Sequence, residues 1–351
     1  MHGIGDDSDP LFNPKLASLI NSDGKVAHVP GQVFYQLCIV KDHCFLCLER
    51  KEDSERNREH VIPEWFLNFR GLQNRFIQYA PGRKRMYGMH TIDCCKSCNT
   101  YLADVFEKKI SEVIKSQVPG LPQDLVEDDY VLLHQWLCLI QAKYFIYDAK
   151  RGLASRDNPP SYLSDLSLWE GVSHLVNVAR SRFAGVEVDP DSVGSVFVTT
   201  RAHEDDNANF VIFEEPRAML LRAGKYALIS VPCDGSYAAK LHRDFIRSIS
   251  EKLTGIQLME LLCRYASAHS CMPFSLDHTT TTDGVISLSR RMSIIPPAHG
   301  ELRKKYGEFM AGIFNQYGLF EKFDDIDYLE VRAGIYSSFP HANQRFLPGA
   351  K

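Results

Sequence analysis

Apolar residues recur at helical spacing through Leu102, Val105, Phe106, Ile110, Val113 and Ile114, which predicts an amphipathic helix beginning near Asn99. Residues 129–151 are so apolar that the helix they predict has no solvent face and belongs at the centre of the molecule. His134, Gln135, Gln141 and Lys143 interrupt the run from Val131 to Tyr147, so it reads as a buried helix rather than a membrane span. A further helical pattern covers 161–182, after a loop marked by Pro159 and Pro160. The pattern then becomes strand-like over Ser195–Thr200, Asn209–Glu214, Ala218–Leu221 and Tyr226–Val231, with breaks at 203–207 and at Ala223-Gly224-Lys225. Helices are expected again over Tyr237–Leu253, Ile256–His269 and Glu301–Tyr317. The expected class is α+β, with no fixed-period repeat and no phosphate loop. Leu121-Pro122 and the acidic Glu127–Asp129 mark a boundary, dividing the chain into a lead-in (1–40), a module at 41–118 and a mixed helix and antiparallel-strand domain at 119–351.

Composition narrows the class without naming a function. At 351 residues, 44% hydrophobic and 24% charged, the chain is not collagen-like, disordered or a coiled coil. A formal charge of −4 excludes a basic nucleic-acid coat, yet residues 41–117 carry +3 and the remainder −7. The N-terminal residues are acidic and polar, with no basic stretch followed by an apolar run, so a cytoplasmic, reducing compartment is expected. There, closely spaced cysteines read as metal ligands rather than disulfides.

Two cysteine pairs have that spacing, Cys44-x2-Cys47 and Cys95-x2-Cys98. Each can wrap one side of a tetrahedral Zn²⁺, and together they complete a four-thiolate structural site. The 47 residues between them exceed the ~15–20 of a simple zinc ribbon, so a folded segment must lie between the knuckles. Cys94 offers an alternative register to Cys95, with poorer spacing. Cys38, Cys138, Cys233, Cys263 and Cys271 stand alone in apolar surroundings and read as small buried hydrophobes.

Between the knuckles, Arg58-Glu59-His60-Val61-Ile62-Pro63 places an acid beside a histidine, ahead of an apolar pair and a proline. His90 follows, five residues before Cys95, and Asn99 directly succeeds the second cysteine pair. This order resembles the HNH (ββα-metal) nucleases over about residues 43–116. The resemblance implies a zinc-stapled ββα-metal module in which His60 is the motif histidine, Glu59 its acidic neighbour and Asn99 the residue after the second pair. His90 occupies the place of the family's central asparagine, which braces the loop carrying the catalytic histidine. A histidine can brace through a hydrogen bond, or it can ligate a metal.

Phosphodiester hydrolysis needs a base working near neutral pH, which suits the imidazole of His60. It also needs a hard cation such as Mg²⁺ or Mn²⁺, for which Glu59 and the Asn99 side-chain oxygen are the candidate ligands. Arg83, Lys84 and Arg85 form a basic loop placed for phosphate contacts, with a solvated turn as the plainer alternative. The expected function is an HNH-type endonuclease with nucleic acid as partner, DNA favoured over RNA, in restriction, mobile-element or phage-defence work. The runner-up keeps the zinc and loses catalysis, leaving a nucleic-acid-binding or interaction protein. Plainer roles exist for each residue: Asn99 as a helix N-cap, Glu59 as a solvated charge, His60 as structural and Trp65 as core. The acidic turn after His203 reads as exposed surface, and no pattern specifies an oligomer or a protein partner.

Overall fold

A computed structural model describes residues 19–50, 56–78, 84–116, 129–154, 166–202, 209–215, 217–249, 252–281, 284–292, 300–317, 327–339 and 345–346. The chain mixes helices with mostly antiparallel strands, as expected of an α+β protein. Strands β1 (Leu19–Ile20) and β2 (Val26–His28) form a small pair, followed by helix α1 (Gly31–Phe34), which continues through π turns at Tyr35–Val40. Strand β3 (Arg56–His60), helix α2 (Glu64–Arg70) and the hairpin strands β4 (Phe76–Gln78) and β5 (Lys84–Met86) come next. Strand β6 (Thr91–Cys95) then runs directly into α3 (Lys96–Leu102), a π turn at Ala103–Glu107, and α4 (Lys108–Ser116).

Helix α5 (Tyr130–Ala154) is the expected central helix: Leu133, Trp136, Leu137, Leu139, Ile140 and Lys143 are all fully enclosed. It packs on α6 (Leu166–Ala184), and β7 (Glu187–Val188) follows. A four-stranded antiparallel sheet comes next, built from β8 (Ser195–Thr200), β9 (Phe210–Phe213), β10 (Ala218–Ala223) and β11 (Tyr226–Val231) in the order β8-β11-β10-β9. Gly224 turns β10 into β11 with a φ of +65°, which glycine adopts without strain. Every residue of β10 and β11 is buried, because both faces of the sheet are covered. Alternation assigns the faces. Met219, Leu221, Tyr226 and Leu228 join one apolar cluster with α5, α6 and the segment carrying the paired cysteines. Ala218, Leu220, Ala227 and Ile229 join a second cluster.

The second cluster is made with the short helices α7 (Tyr237–Leu241) and α8 (Arg243–Arg247), and with α9 (Gly255–Ser270) and α10 (Glu301–Gln316). A continuous helix was expected over 237–253. It is interrupted at His242, whose imidazole is anchored to the Arg264 carbonyl at 3.1 Å and stacks on Tyr265. The hairpin β12 (Phe274–Thr280) and β13 (Val285–Met292) has no strong alternation in sequence, and β13 pairs in parallel with β7. Among the described residues no helix is long and apolar enough to cross a membrane. The boundary at 121–128, Pro159-Pro160 and the acidic turn after His203 lie outside the described residues.

Candidate metal centre and active site

The first cysteine pair sits in the turn between α1 and β3, and the second straddles the junction of β6 and α3. Cys95 is the N-cap of α3, and Cys98 lies in its first turn. All four sulfurs fall within 4.8 Å of one another, and Cys47 and Cys95 are 3.8 Å apart. A tetrahedron with Zn–S bonds of ~2.3 Å has edges of about 3.8 Å. These four cysteines are therefore close enough to hold a metal ion such as zinc. Cys94 is the wrong register: its buried sulfur lies against the Cys95 carbonyl and is not part of the cluster. The five isolated cysteines are all buried, as expected.

Charge at the cluster fits a cation. Hydrogen bonds from Cys47 and Cys98 hold the Cys44 thiol far below its ordinary value, while donating those bonds pushes Cys47 and Cys98 up. Burial pushes Cys95 up to about 12. A bound cation would let all four thiols ionise. Arg180 of α6, fully buried, braces the first knuckle by donating from Nε to the Leu46 carbonyl at 2.8 Å and from Nη2 to the Val26 carbonyl at 3.2 Å. Burial lowers its pKa to about 10, and nearby Cys38, Cys47, Cys44 and Cys98 push the other way. A buried guanidinium in this place suits an anionic metal–thiolate centre.

Strands β3 and β6 pair antiparallel, with His60 opposite Thr91 and Arg56 opposite Cys95. The apolar pair Val61-Ile62 is buried and anchors the end of β3, and the Val61 N–H donates to the His90 carbonyl at 2.8 Å. Pro63 precedes the first residue of α2, Glu64, an acid in the first turn where the helix dipole favours it. Together β3, α2 and the helix from Lys96 to Ser116 enclose a cavity of about 440 Å³, lined among others by Arg58, Glu59, His60, Trp65, Asn99 and Glu107.

Within this cavity Glu59 is no solvated charge. It is buried, and one carboxylate oxygen accepts from Lys143 Nζ at 2.6 Å, with the lysine fully enclosed in α5. Asn99 is not the N-cap either, since Cys95 holds that position. Its amide nitrogen donates to the Arg58 carbonyl at 3.3 Å, tying α3 to β3 and leaving Oδ1 as an acceptor. His60 is half-buried at the end of β3. Trp65 is half-buried, lines the cavity and stacks on Trp136 at 6.2 Å, so it serves both core and wall.

No family model, no curated protein and no solved structure matches this chain.

Glu59, His60 and Asn99 therefore meet at one cavity, and His90 does not line it. The His90 imidazole is buried, with Nδ1 donating to the Met86 carbonyl at 2.9 Å, and its ring lies 4.9 Å from that of Tyr147. Burial lowers its pKa to about 4, so it stays neutral. Arg83 falls outside the described residues, and of Lys84 only the backbone, in β5, is described. Arg85 donates to the Tyr147 hydroxyl and lies over that ring at 5.6 Å, away from the cavity lining. The cations that do line the cavity are Arg58 and Lys108, which the sequence reading passed over.

Glu107, which no local motif in the sequence marks, also lines the cavity. This residue ends the π turn between α3 and α4, a kind of helical irregularity frequent at functional sites. Its Oε1 is enclosed, as is Nε1 of Trp65, its weak hydrogen-bond partner. Burial pushes the Glu107 carboxyl up to about 7, with Lys143 pulling it down, Glu59 pushing it further up and a hydrogen bond from Trp65 pulling it down. Lys143, paired with Glu59, thus also acts at a distance on the Glu107 carboxyl.

Proposed function

We propose that the chain is a metal-dependent endonuclease of the HNH type, hydrolysing phosphodiester bonds in nucleic acid, most favourably DNA. One observation carries this: Glu59-His60 and Asn99, some forty residues apart in sequence, line one cavity at the joint between two antiparallel strands and the helix that follows them. The four cysteines pin that joint, and a Zn²⁺ held by them is structural, because four thiolates leave no open position for substrate.

The cavity's donors suit a hard cation. Mg²⁺ and Mn²⁺ take oxygen ligands, usually one or two carboxylates together with substrate phosphate and water. Asn99 Oδ1 and the enclosed Glu107 carboxylate, which only Trp65 contacts weakly, are the candidate ligands. Glu59 contributes through whichever oxygen Lys143 leaves open. When bound, such a cation neutralises charge developing on the phosphoryl group and on the leaving oxygen. His60 accepts the proton of the attacking water, a role for which imidazole's ordinary titration range is suited. Arg58 and Lys108 meet the phosphate backbone.

The Lys143–Glu59 pair favours a second reading, a metal-stapled nucleic-acid-binding protein without catalysis, because it gives Glu59 a purely structural partner. Plasmid nicking assays separate the two. The nuclease cleaves with Mg²⁺ or Mn²⁺ and stops when excess EDTA removes them; the binding protein retards DNA on a gel and cleaves under neither condition.

A further inference from the structure

Two large apolar side chains stand in solvent near the cavity that holds His60. Phe76, in β4, is 61% exposed, and Met89, which ends the 3₁₀ turn Tyr87–Met89 between β5 and β6, is 54% exposed. Neither belongs to an apolar cluster of the core, and neither lines the cavity. Exposed apolar side chains scattered singly need no explanation, but these two are held on one element.

Among the described residues β4 and β5 pair only with each other, as a two-stranded ribbon. Backbone hydrogen bonds fix its root: the Tyr87 N–H donates to the Arg75 carbonyl at 2.9 Å, and the Gly88 N–H to the Gln73 carbonyl at 3.1 Å. Alternation separates the two faces of the ribbon. Arg85 reaches Tyr147 of α5, so its face lies against the central helix. Met86, the next residue, stands opposite Phe76, so that pair faces away from the helix. Met89 precedes His90, whose carbonyl accepts from the Val61 N–H, which places it at the His60 end of the β3–β6 pair.

Charge identifies the occupant. Arg58 and Lys108 are exposed cations lining the adjoining cavity, and Arg75 is exposed next to Phe76 in the chain. Whatever partners its arginines keep inside the fold, the segment from Trp65 to Ile92 itself supplies Arg70, Arg75, Arg83, Lys84 and Arg85 and no acid. Apolar side chains set among cations fit DNA, whose phosphates meet the charges while its base steps take the apolar groups. Phe and Met are among the wedges that DNA-bending proteins insert between base steps. We propose that the β4–β5 ribbon is a second contact for duplex DNA beside the cavity, with Phe76 entering a base step and Met89 making apolar contact next to it. This rests on nucleic acid being the partner, and it holds whether or not the chain cleaves.

The test is DNA binding by the full, zinc-loaded chain in magnesium- and manganese-free buffer, where no cleavage intervenes. Fluorescence anisotropy follows a labelled duplex of two helical turns, and a second duplex carries the fluorescent base aminopurine, which brightens when its stacking is broken. Wild type should bind both duplexes and brighten the second. Phe76→Ala should keep the wild-type melting temperature, bind about tenfold more weakly and cause no brightening, while Phe76→Trp should retain both effects. Met89→Ala should weaken binding by a smaller factor. Wild type that binds no duplex would overturn the nucleic-acid reading together with the proposal. Wild type that binds duplex no better than Phe76→Ala, that binds without brightening, or that needs Phe76 for single-stranded DNA alone, would overturn the proposal by itself. Dissociation of a dimer by Phe76→Ala with duplex binding unchanged would assign this face to a second copy of the chain instead.

Discussion

Replacing Lys143 with methionine keeps most of the side-chain volume and removes one charge from the centre of the molecule. The lysine is fully enclosed and its Nζ lies 2.6 Å from a Glu59 oxygen, the Glu59 side chain being only 8% exposed. At an effective dielectric of ~20 their attraction is roughly 6 kcal/mol, offset by a desolvation cost of several kcal/mol per ion. The intact pair therefore adds little net stability, but losing one partner strands the other and costs about 3–5 kcal/mol. Glu107 makes the two single variants unequal. With Glu59→Gln, Lys143 keeps its longer-range attraction to the Glu107 carboxyl; with Lys143→Met, the mutually repelling Glu59 and Glu107 carboxyls lose that cation. Lys143→Met should be the more damaging, and the double variant should cost about 1–3 kcal/mol less than the sum of the singles. Urea unfolding of the zinc-loaded protein, followed by tryptophan fluorescence, reads this directly because Trp65 and Trp136 stack beside the pair. Additive single effects, or a Lys143→Met protein as stable as wild type, would refute the buried pair.

Other expectations follow from the same geometry. Purified protein should carry about one Zn²⁺ per chain, and Arg180→Met should speed its loss to a chelator, since Arg180 holds the Leu46 carbonyl between the first two ligands; zinc loss at an unchanged rate would deny Arg180 that role. Glu107→Gln should leave urea stability at pH 8 unchanged or raised, because it removes a buried charge, while raising the Mn²⁺ concentration needed for half-maximal cleavage; an unchanged metal titration would remove Glu107 from the site. His90, held near 4 when folded against ~6.5 unfolded, contributes stability that is present above ~6.5 and lost as pH falls toward 4, on the order of 3 kcal/mol at most. Urea midpoints at pH 7.5 and 5 should therefore differ less in His90→Asn than in wild type, and equal differences would contradict its burial as a neutral ring.

The long apolar helix, the four-stranded sheet and the metal-spaced cysteines were legible because each is a local pattern: uniform apolarity, two-residue alternation, a fixed spacing. What escaped the sequence is set by contacts between distant segments. Lys143 reads as a polar interruption in an apolar helix until Glu59, 84 residues away, is placed against it. Arg180 meets the Leu46 carbonyl across 134 residues. Glu107 lies two i+4 steps beyond Asn99 on the polar side of the helix, where a lone acid reads as a solvated charge until β3 and α2 close the cavity over it. The β12–β13 hairpin went unread because Ser275, Asp277 and His278 break up any apolar run. Arg85, read as a phosphate contact, is drawn to Tyr147 of the central helix, which sequence adjacency to Arg83 and Lys84 does not reveal.

The central claim is that His60 is the base of a phosphodiesterase site, and the single-turnover cleavage rate of His60→Ala tests it most directly. The variant is measured on plasmid DNA in saturating Mg²⁺ or Mn²⁺, beside wild type with matched zinc content and melting temperature. The His60 side chain is half-buried and the pairing of His60 with Thr91 is through the backbone, which alanine keeps, so the variant should fold and bind DNA normally. Its cleavage rate should fall by ~10²–10⁴-fold, the usual cost of losing a general base. Cleavage at the wild-type rate by a folded, zinc-replete His60→Ala protein would contradict the mechanism.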